Sequence, residues 1–108
     1  MIKRDYFILY LISLTTVVIV AAFQSSPGYM DADYYYAGGV QLAEGHGFQE
    51  EILWNYLDDP SGLPHPSHAY WMPMPSILAA TGMKLMGSSN FDAAQLGFLL
   101  LAALVPPL

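Results

Sequence analysis

An unbroken apolar run over residues 6–23, YFILYLISLTTVVIVAAF, limits what this chain can fold into more than any other feature. Its hydroxyls on Ser13, Thr15 and Thr16 can bond back to helix carbonyls, so they are compatible with burial in lipid. Eighteen residues at α-helical rise span about 27 Å, close to the hydrocarbon thickness of a bilayer. The apolar stretch of a signal peptide is shorter, about 7–15 residues. Ala21-Ala22-Phe23-Gln24 also lacks the small-x-small pattern of a cleavage site. The run therefore reads as an uncleaved transmembrane helix. Lys3 and Arg4 precede it and direct the N-terminus to the cytoplasm, so the chain emerges on the extracytoplasmic side near Gln24.

Composition agrees with a membrane setting. Charged residues make up 11% of the chain, against about 25% in an ordinary soluble domain. The fold class expected is an all-α membrane protein, with an extracytoplasmic loop carrying a short juxtamembrane helix. A bacterial or archaeal plasma membrane is the expected location. There is no cysteine, which excludes disulfides and thiolate metal sites. Residues 24–69 hold seven acids and no Lys or Arg, the wrong sign for a nucleic-acid partner.

The chain reads as one piece of a polytopic domain over residues 1–108. The first span covers 6–23 and the outer loop 24–69. A second span is expected at 70–86, with Pro73 and Pro75 in its first turn, where missing amide donors cost little. Lys84 then falls on the cytoplasmic side. A third span begins within 91–108, capped by Ser89 or Asn90, with Asp92 in its first turn. The sequence stops inside this apolar run on Val105-Pro106-Pro107-Leu108, which suggests an N-terminal fragment of a longer protein.

Within the outer loop, Asp31 is a credible N-cap for a helix over 32–44, and Gly45 suits the C′ position that ends it. Gly38-Gly39 costs about 1 kcal/mol per residue in mid-helix, which is tolerable where another element or a ligand approaches closely. Residues 52–57 form a short strand or an interfacial turn, residues 58–62 a turn, and residues 63–67 an extended stretch enforced by Pro64 and Pro66. Trp54, Tyr56, Tyr70 and Trp71 fit an aromatic belt at headgroup level.

Chemistry concentrates on the same loop. Asp31 and Asp33 can serve as a cap and a first-turn acid, or as functional carboxylates. Two residues apart on a helix, they do not share a face, so they do not make a matched acid/base dyad. Tyr34, Tyr35 and Tyr36 can anchor at the interface or wall a sugar or lipid site. His65-x-x-His68 has the residue types of a metal site, but Pro64 and Pro66 break the helix that would align the rings. A divalent metal is possible and not favoured. His46, between two glycines, suits a turn or a substrate contact. Cleaving a lipid phosphate requires a cation or a metal to stabilise the departing group, and this loop has no Lys or Arg to supply one.

Taken together, the N-in helix, Asp31-Ala32-Asp33-Tyr34-Tyr35-Tyr36, and the Leu-Ala-Glu-Gly-His-Gly-Phe element at 42–48 resemble the start of GT-C membrane glycosyltransferases. The likeness is to the protein O-mannosyltransferase and aminoarabinose-transferase branch. Residues 65–73 look like the proline- and aromatic-rich lead-in to that family's second span. Residues 91–96 sit where many members carry Arg-Leu-Pro, with Gln95 in place of the arginine and Gly97 in place of the proline. The resemblance implies transfer of a sugar from a polyprenyl-phosphate carrier on the extracytoplasmic face, with inversion. It implies Asp31 as the base on the acceptor, with Asp33 as the other candidate, and Tyr35, Tyr36, His46 and His65 as substrate contacts. The partners implied are membrane lipid, the carrier-linked sugar and the remainder of the same polypeptide. A non-catalytic membrane subunit that binds lipid or glycan, and a small structural membrane protein, are the competing readings.

Overall fold

The computed structural model describes residues 2–53, 59–69 and 71–108. Trp54, Tyr56, Asp58 and Tyr70, which the sequence places in the aromatic belt and a turn, lie outside the described residues. The chain is mainly helical, with α1 at Lys3–Ala21, α2 at Met30–Ala43, α3 at Met74–Met86 and α4 at Phe91–Ala102. A two-residue ribbon pairs β1, Gln49–Glu50, antiparallel with β2, His65–Pro66. The all-α class is the one observed.

α1 is the one helix among the described residues that is long and apolar enough to cross a bilayer, with a mean hydropathy of 1.6. Its Thr15 and Thr16 hydroxyls donate to the Leu11 and Ile12 carbonyls, 2.8 and 2.9 Å, so neither needs another partner. Only Ala21 along it is buried.

α2, α3 and the first half of α4 form a compact head. α3 crosses α2 at Gly38-Gly39. A Cβ on Gly39 would stand 2.7 Å from the Ala79 Cβ, and one on Gly38 would stand 2.7 Å from the Ser76 hydroxyl. The mid-helix glycines are thus explained by a helix lying on them. α3 and α4 are antiparallel and equally close, since a Cβ on Gly82 would run into the Ala93 carbonyl. Ala79, Met83, Ala93 and Ala94 fill this joint, with Tyr36, Val40 and Ala43 of α2 packed against them. Small residues let three backbones approach closely, the device by which helices pack when bulky apolar contacts are not the driving force.

Three sequence expectations change. The helix in the outer loop starts earlier than 32. Tyr29 is the N-cap and Met30 is already helical, so Asp31 caps nothing and joins Asp33 in the first turn. At the other end Gly45 is left-handed, φ +84°, with His46 N–H bonded to the Gln41 carbonyl at 2.9 Å, as expected of a C′ glycine. The helix expected at 70–86 begins only at Met74, and its 13 residues reach about 20 Å, short of a bilayer. Lys84, expected a full span away from the exit of α1, is also placed differently. The Gln95 amide donates to the Gln24 side chain at 3.0 Å, while Leu9, Thr16 and Val17 of α1 face Ala102 and Val105 across a cleft. α4 therefore runs antiparallel to α1. The α3–α4 turn, with Lys84 beside it, lies at the end where α1 stops. The molecule is correspondingly elongated, 58 × 24 × 24 Å.

Candidate functional site

Asp31 and Asp33 face different spaces, as their two-residue separation requires. Asp31 is exposed on the rim of a cavity of about 470 Å³, walled by Tyr35 and Tyr36 of α2, Pro75 and Ala79 of α3, and Phe91 and Phe98 of α4. Gln24 and Gln95 close it at the end of α1. Tyr36 is held in place by donating its hydroxyl to the Ser89 carbonyl, 2.8 Å, and by an edge contact with the Phe91 ring. The cavity thus lies between α2, α3 and α4, at the point where the chain leaves α1. None of its lining residues is basic.

Asp33 lines a second cavity of about 580 Å³, on the other side of α2, with Met30, Tyr34, Ile52 and Trp71. Tyr34 and Trp71 meet edge to face, with centroids 4.8 Å apart.

The histidines expected as substrate contacts lie elsewhere. His46 is exposed beyond the C-terminus of α2, about 20 Å along the helix from Asp31, with its ring 3.8 Å from the Glu44 carboxylate. His65 sits opposite Glu50 on the ribbon, Nδ1 to Oε1 3.2 Å, and Glu50 is buried. Of the expected residues, Asp31, Tyr35 and Tyr36 are therefore gathered in one cavity, and Tyr36 also lines the second beside Asp33. Among the described residues, no group of three His, Asp or Glu side chains is placed to hold a metal ion.

A polar cluster beside this cavity joins His68 and Tyr34, weighed in the sequence as a metal ligand and a site wall, to Ser67 and Ser76, which the sequence does not single out. The Ser76 hydroxyl, fully buried, donates to the Tyr35 carbonyl at 3.0 Å. His68 Nε2 lies 2.9 Å from the same hydroxyl and Nδ1 lies 2.8 Å from the Ser67 hydroxyl. The His68 N–H donates to the Tyr34 hydroxyl at 2.7 Å. His68 is also the one non-glycine with positive φ among the described residues, +60°. Burial lowers the His68 pKa below the usual histidine value, with Glu50 opposing in part. Burial raises the Tyr34 pKa; the amide of His68 opposes this, and a hydrogen bond to the Glu50 carboxylate reinforces it. The sequence signal for this cluster is slight, a serine on the apolar α3 at a spacing that faces Gly38.

No protein-family model, curated protein or solved structure matches this chain.

Proposed function

We propose that the chain is the acceptor-activating part of a membrane glycosyltransferase that uses a polyprenyl-phosphate sugar, with Asp31 as the base. One observation carries the reading. An exposed carboxylate stands at the mouth of an aromatic-walled cavity, at the end of the apolar helix. In this reading α1 crosses the bilayer, its N-terminus cytoplasmic, and the head lies at the extracytoplasmic surface, where a lipid-borne sugar arrives.

The chemistry is a single displacement. The acceptor hydroxyl attacks the anomeric carbon, the bond from that carbon to the phosphate oxygen breaks, and Asp31 takes the hydroxyl proton as it leaves. A positioned carboxylate base contributes about 10²–10⁴-fold. Tyr35 and Tyr36 offer ring faces and edges for the sugar. The charge on the departing phosphate is left to a cation from outside this cavity, since its walls carry none.

The test is transfer of labelled sugar by the intact protein from a polyprenyl-phosphate donor. Asp31→Asn should reduce turnover by about 10²–10⁴-fold with donor binding retained, while Asp33→Asn stays within about tenfold of wild type. Wild-type transfer by Asp31→Asn contradicts the assignment. Weakened donor binding without any transfer in the wild type favours the non-catalytic lipid- or glycan-binding subunit.

A further inference from the structure

We propose that His68 is the positioning residue of the Asp31 site, a neutral ring that ties the long connection between α2 and α3 to the joint of those helices. The inference rests on the reading of the Asp31 cavity as the working site. Proton counting supports it. A carbonyl only accepts, so the single Ser76 hydroxyl proton is spent on Tyr35. Ser76 Oγ can then only accept from His68, which places the ring proton on Nε2. Nδ1 is left as an acceptor, and it takes the Ser67 hydroxyl proton. For a neutral ring, both ring nitrogens and the Ser76 hydroxyl are satisfied by this one arrangement.

The bonds converge on the wall of the cavity. Ser76 fixes the Tyr35 carbonyl, and Tyr35 lines the space that Asp31 opens into. The His68 ring stacks on Tyr35, with centroids 6.5 Å apart and planes 26° apart, and its Cε1 lies where a Cβ on Gly38 would stand at 3.1 Å. The backbone is held left-handed to bring the ring there, and local strain of this kind persists only where surrounding contacts enforce it. The titratable groups around the ring are Tyr34 and Tyr35 on α2 and Glu50 on β1. α3 presents only the uncharged Ser76.

Two substitutions separate the backbone from the hydrogen bond. Asn accepts a left-handed backbone well, but its amide reaches only to the level of Nδ1. Gln extends its amide to the level of Nε2 and can donate to Ser76. In the intact protein, His68→Asn should speed hydrogen exchange of the amides in residues 33–38 by about tenfold, the worth of one buried hydrogen bond. It should lower sugar transfer in step, and His68→Gln should recover most of both. Nitrogen NMR of the wild-type ring should show the Nε2–H tautomer at neutral pH, a readout independent of how either variant folds. An Nδ1–H tautomer, or His68→Asn matching wild type in exchange, overturns the proposal. If exchange follows the expected order while Asp31→Asn transfers sugar at the wild-type rate, the tie stands and the transferase reading is what fails.

Discussion

Asp31 and Asp33 differ by two positions and by the whole width of a helix. That separation was legible from the sequence, because successive turns place such residues on different faces. The capping role was not. Asp31 has the right side chain for an N-cap, yet Tyr29 takes that place and the Asp33 N–H bonds to the Tyr29 carbonyl at 2.9 Å. Packing of Tyr34 and Gly38 against neighbours sets where this helix lies, and local capping preference yields to it. Gly39 shows the reverse, a residue whose structural meaning the sequence conveys well. Its substitution by Ala should gain about 1 kcal/mol of helix propensity and lose more to overpacking, about 1–3 kcal/mol, because the new methyl meets Ala79 at 2.7 Å. Thermal unfolding of Gly39→Ala should therefore show net destabilisation; unchanged or raised stability would mean that the two helices are not in contact there. The sequence draws His68 into a metal-like pair with His65, but not to its actual partners, a tyrosine 34 positions before it and a serine eight after, joined only by the fold.

At the scale of elements, hydropathy alone does not separate a helix that crosses a membrane from one that packs in a head. α3 is apolar along most of its length, but it is short and its small residues face α2 and α4. The prolines at 73 and 75 fix its start later than hydropathy suggests, with Pro73 as N-cap. The start of α4 was narrowed to two residues, and Asn90 is the one used, its side-chain oxygen accepting from Ala93 N–H at 2.8 Å. Asn90→Ala should cost about 1 kcal/mol of stability, whereas Ser89→Ala should cost little, since it is the Ser89 backbone carbonyl that bonds Tyr36. Equal losses from the two, measured by denaturant unfolding in detergent, would count against this cap.

At the scale of the whole molecule, charge and geometry part company. The positive-inside pattern sends Lys84 to the cytoplasmic side, whereas the Gln24–Gln95 bond and the antiparallel course of α1 and α4 put it near the end where α1 stops. If α1 crosses the bilayer as proposed, the Asp31 cavity and the α3–α4 turn lie together beyond its extracytoplasmic end. Ser61 and Ser88 are both exposed, and the chain has no cysteine to interfere. Ser61→Cys and Ser88→Cys, each in intact cells, should both react with a membrane-impermeant thiol reagent; labelling of Ser61→Cys with protection of Ser88→Cys would put a bilayer between them and contradict the account.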